Sequence, residues 1–279
     1  MIEVGRGGQG RLRALRHLGK YLEMLRITVL TALTYAYDML SRQLFVVIVM
    51  FVFVQLWKTT YRWEGAASIG GYTMRQMLWY LALGESMAMS MPRAAAEIDD
   101  DVRSGALAYA LTKPYKYPWF LYAKYMGNAL TGFFGNLAIA GTVIWIAVGP
   151  PPVTALSFTL GFLSALLAYA LDFWAQAAIG LSAFWIEDAS PYRLLYSRVK
   201  MLLGGMLLPL ELFPEGLRRI AAFLPTGQIF HGPVKTFVSL SLPEFGGTVA
   251  KQSVWILVFV ALASMVYRAG VRRVNVQGG

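Results

Sequence analysis

Long apolar stretches, separated by short charged or proline-containing segments, run through most of this chain. Several approach the roughly 20 residues that an α-helix needs to cross a bilayer. Of the 279 residues, 57% are hydrophobic and 14% are charged, whereas about a quarter of the residues in soluble domains are charged. The alternation of polar and apolar residues that is typical of strands is missing, and an open sheet could not satisfy its backbone in lipid. The pattern therefore predicts an all-α integral membrane protein.

The charge and the motif content exclude several classes of function. The formal net charge of +10 could indicate a nucleic-acid partner, but the basic residues concentrate on segments predicted to face the cytosol, as the positive-inside rule expects. The chain has no cysteine, no Gly-rich Walker loop for ATP and no catalytic triad. Its two histidines, His17 and His231, show no metal-ligand spacing and are expected to be structural. We therefore expect no nucleic-acid partner and, in this chain itself, no catalytic residue, metal site or cofactor.

The first 38 residues are predicted to form a cytosolic tail that ends in an amphipathic helix. Within residues 11–29, Leu12 and Leu15 share one face, whereas Arg13 and Arg16 lie off it. A basic helix of this kind usually lies in the interface plane of an anionic leaflet. A signal peptide is the alternative, but its compact apolar region and small-residue cleavage site are not clear here. We therefore expect an interfacial (elbow) helix before the first span.

Residues 39–279 are predicted to form one transmembrane domain with six spans. The spans lie at about residues 39–59, 72–91, 119–148, 153–185, 192–210 and 249–267. The second carries Arg75 and Glu85, and the fifth has a short apolar core that runs into Pro209. Residues 217–230 are interpreted as an interfacial or re-entrant piece on the outer side. Six spans place both termini in the cytosol, with the chain as a multi-pass protein of the inner (cytoplasmic) membrane.

The segment of residues 92–118, called the platform below, is charged although apolar sequence lies on both sides of it. Its charged residues are Arg93, Glu97, Asp99, Asp100, Asp101, Arg103, Lys113 and Lys116. In hydrocarbon each charge would cost roughly 3 kcal/mol even on a lenient insertion scale, so the segment must lie in water. A solvated loop without a partner is the simplest interpretation of such a charge run. We predict instead that a soluble partner acts on the membrane protein here, and three consecutive aspartates cannot all face that partner.

Two carboxylates are predicted to lie inside the membrane, and each must face protein or water rather than lipid. Glu85 lies in the second span, about 15 Å along one helix from Arg75, which is too far for direct contact. Asp172 lies in the fourth span close to Trp174, where a hydrogen bond between helices is an alternative to contact with substrate. Glu85, Asp172 and Trp174 are therefore the candidate residues of a transport path.

Two motifs carry a resemblance to a known family. The platform reads Glu97-Ile98-x-x-Asp101-Val102-Arg103-Ser104-Gly105-x-Leu107-x-x-x-Leu111-x-Lys113-Pro114. A later stretch reads Leu208-Pro209-Leu210-Glu211-Leu212-Phe213-Pro214-Glu215-Gly216-Leu217, and Leu224-Pro225 and His231-Gly232-Pro233 follow it. Together with the interfacial helix and the six spans, these motifs resemble the permease subunit of a type-2 ABC exporter. Thr226 stands where many members have phenylalanine after Leu-Pro.

The resemblance implies a function that needs partners. Such permeases pair with an identical or a sister permease, beside two ABC ATPase subunits that bind ATP and Mg. The platform would be the cytosolic coupling helix between spans two and three, and the expected contacts with the ATPase are Glu97, Ile98, Asp101, Arg103, Leu107 and Lys113. ATP binding would move the platform and open the spans outward. The substrate is expected to be amphiphilic or hydrophobic.

Two other classes of function compete with this interpretation. An ion-coupled carrier or channel without an ATPase would need matched deep polar groups or rings of like charge, and the sequence shows neither. A membrane scaffold that only anchors a soluble partner would keep the platform, but replacement of Glu85 and Asp172 would then have no effect on transport.

Overall fold

The structure, a computed structural model, describes residues 36–186 and 188–277, together with residue 19, residues 23–27 and residue 30. Within this range, the side chains of residues 36–43 and 273–277 are not described. Most of the predicted interfacial helix, residues 11–29, and of the predicted tail, residues 1–38, therefore lies outside the described residues. Residues 23–27 of that segment are helical.

Between residues 36 and 277 the described chain is built from α-helices joined by short turns. The helices are α1 (Ala36–Glu64), α2 (Met74–Ser90), α3 (Ala94–Arg103), α4 (Ala106–Leu111), α5 (Tyr117–Val148), α6 (Ala155–Leu181), α7 (Ser190–Leu203), α8 (Glu215–Phe223), α9 (His231–Val238) and α10 (Leu242–Gln277). Three short 3-10 helices join them, at Ser182–Phe184, Leu210–Leu212 and Pro225–Gln228. The β pairing among the described residues is a single isolated bridge, between Ile69 and Tyr72. The predicted all-α fold class is thus confirmed.

Four helices of the described chain are long and apolar enough to cross a membrane, by length and composition. They contain the segments Leu44–Glu64, Tyr117–Val148, Ala155–Phe184 and Leu242–Arg272. These segments correspond to the first, third, fourth and sixth predicted spans. The second and fifth predicted spans contain α2 and α7, with 17 and 14 residues. Both helices are shorter than the roughly 20 residues of a full crossing.

Within the predicted fifth span, residues 192–210, the helix covers only the first part. The helix α7 ends at Leu203, and Gly205 follows with a φ of +73°. A side chain at this position would be strained, so the left-handed conformation suits glycine and stops the helix. The chain then continues through irregular backbone to the 3-10 helix Leu210–Leu212. The two glycines at 204 and 205, rather than Pro209, end the helix.

The helices form a bundle with two distinct ends. The platform lies at one end, called the platform end, where α3 packs against α6. At the other end, called the opposite end, Trp79 Nε1 donates to the Gly149 carbonyl at 3.1 Å in the turn between α5 and α6. Tyr72, which precedes α2, donates to Glu211 at 3.2 Å. These contacts place the segment of residues 204–241 toward the opposite end.

The core lies where α2 packs against α5 and where α6 packs against α9 and α10. Every residue from 77 to 87 in α2 is buried. The helix begins with a capping box, because the Thr73 hydroxyl accepts from the Gln76 backbone N–H and the Gln76 side chain accepts from the Thr73 backbone N–H. It ends just before Pro92, which cannot continue a helix ladder. The helix α2 therefore leads straight from the opposite end into the platform.

Candidate coupling site

The platform consists of two short helices whose apolar residues face the bundle. In α3, Ala94, Ala95 and Ile98 are buried, and Ile98 is only 1% exposed. In α4, Leu107 is 2% exposed. Because residues three and four apart share one face of a helix, this spacing turns the apolar side of α3 inward. Ile98 and Leu107 therefore pack in this chain's own core.

The backbone of α3 lies directly against α6. A Cβ atom at Gly180 of α6 would come within 2.8 Å of the Ala95 carbonyl oxygen and within 2.8 Å of Ile98 Cβ. Only glycine leaves room for this approach. Close by, the Ala95 N–H donates to Gln176 Oε1 at 3.2 Å, and Gln176 Nε2 donates to the Pro92 carbonyl at 3.2 Å. The start of the platform is thus fixed to α6 by packing and by two hydrogen bonds.

Acidic side chains of α3 fasten the platform to α5. Lys124 Nζ lies 2.6 Å from Glu97 Oε1. Tyr117 donates its hydroxyl to Asp101 Oδ2 at 2.6 Å. Both partners belong to the first turns of α5. The sequence analysis predicted that Glu97 and Asp101 contact an ATPase, and the structure shows them engaged within the chain.

Asp99 forms a third connection, between the platform and α7. Its side chain is 3% exposed and accepts from Arg103 Nε at 2.8 Å. Arg193 of α7 forms an ion pair with the other carboxylate oxygen of Asp99, and its guanidinium also donates to Ser190 Oγ at 2.7 Å. Arg103 lies 3.3 Å from Asp188, which precedes α7. Hydrogen bonds from Ser190 lower the pKa of Asp188, so this carboxylate stays ionised.

One edge of the platform remains exposed. It consists of Asp100, Arg103, the turn of residues 104–106, and Tyr109. Tyr109 is 66% exposed, and Lys113 lies over its ring with Nζ 4.2 Å from the centroid. Of the six residues predicted to contact an ATPase, Arg103 lies on this edge and Lys113 beside it. Consistent with the sequence argument, the three aspartates face different ways: Asp99 is buried and Asp100 is exposed.

Asp172 lies at the centre of a buried polar network. Its side chain is fully buried, and Lys200 Nζ of α7 lies 2.6 Å from Oδ1. The Tyr196 hydroxyl donates to the same oxygen at 2.8 Å. The Tyr125 hydroxyl and Gln176 Nε2 donate to Oδ2 at 2.6 and 2.7 Å. Because Gln176 also binds the start of α3, the network joins α5, α6 and α7 to the platform.

The other predicted path residues have different surroundings. Glu85 is 6% exposed, and it has no hydrogen bond or ion pair with any described residue. Trp174 is 4% exposed and belongs to an aromatic cluster, with its ring centroid 5.2 Å from Trp119 and 6.1 Å from Tyr122. The structure thus separates the three: Asp172 binds four side chains, Trp174 packs among rings, and Glu85 stands without a described partner.

A second polar cluster lies toward the opposite end, around Glu211. Lys235 Nζ lies 2.8 Å from Glu211 and 2.9 Å from Glu244. Burial opposes the charge of Glu211, but its neighbours His231 and Lys235 hold the pKa of this carboxyl below its ordinary value. His231 Nδ1 lies 3.0 Å from the Tyr80 hydroxyl, and burial lowers the pKa of His231 to about 4. His231 is therefore neutral at physiological pH and tied to α2.

The cations that neutralise the buried aspartates, Arg193 and Lys200, are not predicted by the sequence pattern alone. Arg193 and Lys200 belong to the predicted fifth span, residues 192–210, and the pattern of that span indicates no partner for either. A signal existed, because a buried carboxylate needs a cation or several donors. Arg193 and Lys200 lie seven positions apart, close to two helical turns, so they share one face of α7. From that spacing one could have predicted that α7 faces two buried carboxylates.

The fold and the site define a class of protein: a helical membrane protein with a charged platform fastened to its long helices. In the described part of the chain, no group of three or more His, Asp or Glu side chains could hold a metal ion. The chain matches the family described as ABC-2 family transporter protein over residues 44–278. It therefore belongs to that family, and the predicted resemblance to a type-2 ABC permease is confirmed. No curated protein matches the chain.

Membership in this family fixes the general role. The chain is a membrane component of an ABC transport system and is not itself an enzyme. Such a component works in a membrane and in partnership with ABC ATPase subunits.

Proposed function

We propose that this protein is the transmembrane permease subunit of an ATP-driven exporter. Two ATPase subunits, which bind ATP and Mg, would dock on the platform, and a second permease, identical or a sister chain, would complete the path. The observation that carries the proposal is the construction of the platform. Contacts of α3 fasten it to α5, α6 and α7, and the edge that carries Tyr109 stays exposed. A partner that pushes on this edge would push on three helices at once.

In this proposal the chain crosses the membrane six times, and the directions in which the helices run agree with that number. The helix α1 ends toward the opposite end, where the Tyr61 hydroxyl donates to the Tyr72 carbonyl at 2.6 Å. The helix α2 returns to the platform, α5 leads away and α6 leads back. The helix α10 returns last, and Gly270 packs against Phe184 beyond the end of α6. With α7 and residues 204–210 as the fifth crossing, both termini lie at the platform end, which we assign to the cytosol of a cell with an inner membrane.

Glu85 is a better candidate than Asp172 for a residue that lines the substrate path. Both oxygens of Asp172 are occupied by partners from this chain, whereas Glu85 has no described partner. A carboxylate inside the membrane must face protein or water rather than lipid, so a role in binding is a common reason for keeping one. We expect Glu85→Gln to slow ATP-dependent accumulation of the amphiphilic dye ethidium in inside-out vesicles, with the ATPase still bound. Unchanged accumulation would remove Glu85 from the path.

The test of the proposed function is the capture of the ATPase. The tagged chain is purified from native membranes in mild detergent, and the proteins that accompany it are identified by mass spectrometry. Wild type should bring a Walker-motif ATPase. The variant Tyr109→Ala, on the exposed edge, should lose at least about tenfold of it, which corresponds to about 1.4 kcal/mol.

The matched control is Trp63→Ala, because Trp63 is 90% exposed but lies near the end of α1, away from the platform. This variant should retain the ATPase fully. A chain that is purified alone, even after cross-linking at Tyr109, would contradict the exporter proposal and would favour ion-driven transport.

A further inference from the structure

The helix α7 has little apolar packing within this chain, where Tyr196 is its residue against the core. None of its 14 residues is buried. Its apolar side chains are mostly exposed, as in Leu194, Leu195 and Leu202, which are 57%, 63% and 68% exposed. Dispersion and burial fix most helices against their neighbours. The contacts that fix α7 must therefore be of another kind.

Polar contacts on one face tie α7 at two levels. Near its start, Arg193 forms the ion pair with Asp99 of α3. Two turns further on, Lys200 forms the ion pair with Asp172 of α6, and Tyr196 donates to the same carboxylate. The Lys200 and Asp172 side chains are 14% and 0% exposed, so water screens this pair little.

The end of α7 has the features of a hinge. Gly204 accepts from the His231 N–H at 3.0 Å, and Gly205 accepts from the Tyr80 hydroxyl at 2.5 Å. These bonds hold the backbone at residues 204–205 to α9 and α2. Gly205 itself has a φ of +73°, outside the helical range. The helix α7 is thus anchored at its end, breaks there, and is tied along its length mainly by polar groups, with the Tyr196 ring as its apolar contact to the core.

We propose that Arg193 and Lys200 are positioning residues that make α7 follow the platform. Arg193 passes a displacement of α3 directly to the start of α7 through Asp99. Lys200 keeps the middle of α7 on Asp172, whose partner Gln176 also holds the start of α3. The helix then swings about Gly205, with its start moving furthest. This inference rests on the proposed function, since an ATPase must supply the displacement of α3.

Distances between spin labels test the inference in the intact complex in lipid nanodiscs. The chain has no cysteine, so each introduced pair of cysteines gives a clean signal. One pair joins Leu195→Cys of α7 to Met265→Cys of α10, and a second joins Leu202→Cys to the same position; all three side chains are exposed. Leu195 lies about 15 Å from Gly205 along the helix and Leu202 about 5 Å.

In the wild type, ATP with vanadate should change the distance from Leu195 to Met265 about three times as much as the distance from Leu202 to Met265. The reason is that Leu195 lies about three times as far from Gly205 along the helix. In the double variant Asp99→Asn and Arg193→Gln, the Leu195 shift should be lost while ATP hydrolysis continues. This variant removes both charges of the pair, so neither is left buried without its partner, and Arg103, which also binds Asp99, keeps its contact with Asp188. The matched control is Arg198→Gln, on the same helix, because Arg198 has no ion pair with the described residues; its shift should equal that of wild type.

Three results would overturn the inference. The first is a full Leu195 shift in the double variant, and the second is a wild type that hydrolyses ATP with α7 stationary. The third is loss of the shift in Arg198→Gln as well, which would indicate that the basic charge of α7 acts on lipid headgroups. Failure of the proposed function gives a different result, because no ATPase would then accompany the wild-type chain.

Discussion

The helices α2 and α7 are neighbours of the platform, and the bundle holds them in opposite ways. In α2, every residue from 77 to 87 is buried, and the helix packs most extensively on α5. In α7 no residue is buried, and ion pairs to Asp99 and Asp172 connect it to the rest of the chain. A packed helix can shift only if the core around it rearranges. A helix held by a few polar contacts can move by exchanging them.

This difference shows how one short platform can be fixed in position by one helix and can still move another. The helix α2 enters the platform from a rigid core and sets its position. The helix α7 is tied to the platform by side chains only, so it can respond to the platform without disturbing that core. Thermal unfolding of the detergent-purified chain measures this contrast. Tryptophan fluorescence follows the unfolding.

The largest effect is expected for Asp172→Ala. This change leaves the Lys200 ammonium in a buried site without its carboxylate, together with three donors that lose their acceptor. Breaking a buried pair by removing one partner costs about 3–5 kcal/mol. The double variant Asp172→Asn and Lys200→Met, which removes both charges, should recover at least half of that loss. Equal losses in the two variants would mean that the ion pair is not what holds this site.

A matched pair of leucine truncations compares packing in the two helices. Leu78 of α2 is fully buried, so Leu78→Ala should cost about 2–5 kcal/mol through lost burial and a cavity. Leu202 of α7 is 68% exposed, so Leu202→Ala should stay within about 0.5 kcal/mol of wild type. A large loss of stability in Leu202→Ala would show that apolar packing also holds α7 in place.

Acidification should loosen the segment that anchors the hinge. The pKa of His231 lies near 4 because of burial, below the ordinary value of 6.5. Its contribution to stability is complete above 6.5 and is lost as the pH falls from 6.5 to 4, because the unfolded chain binds the proton first. The difference between the two pKa values corresponds to at most about 3.4 kcal/mol. The unfolding temperature should fall across this window.

The control for this prediction is His231→Gln, which keeps a hydrogen-bonding side chain beside Tyr80 but cannot titrate. Its unfolding temperature should change less between neutral pH and pH 4 than that of wild type. An identical pH dependence in the two proteins would assign the effect to other groups.

The smallest effect is expected for an exposed ion pair. Arg219 and Glu215 of α8 form a pair whose side chains are 76% and 64% exposed. Exposed pairs contribute about 0–1 kcal/mol. Arg219→Gln should therefore leave the unfolding temperature almost unchanged, and high salt should remove any difference. A loss as large as that of Asp172→Ala would undo the distinction between buried and exposed pairs.

The sequence predicted the fold class and the long helices well, because hydrophobic length is a property of local composition. Residues 119–148, for example, carry no charge except Lys124, and the structure has the helix Tyr117–Val148 there. The end of α7 was harder to predict. Prolines at 209 and 214 gave the obvious stop signal, yet Gly204 and Gly205 end the helix, since two glycines in an apolar run resemble ordinary packing positions.

The site was predicted in part. The platform was located from its charges, and Asp172 was recognised as a group that needs a partner. The partners themselves depend on which helices touch, and a single sequence does not contain that information. Docking at Glu97, Ile98, Asp101, Arg103, Leu107 and Lys113 stays a prediction, as do the path roles of Glu85, Asp172 and Trp174. The structure adds that two of the six docking residues, Ile98 and Leu107, are buried in the core, and that Glu97 and Asp101 bind Lys124 and Tyr117 within the chain.

Hydrogen–deuterium exchange tests the contrast between α2 and α7 most directly. It would compare wild type with the double variant Asp172→Asn and Lys200→Met in the same nanodiscs. The account predicts faster exchange over residues 190–203, which have lost a polar tie, and unchanged exchange over residues 74–90. Unchanged exchange in both helices, or equal loosening of both, would contradict the view that ion pairs hold α7 while packing holds α2.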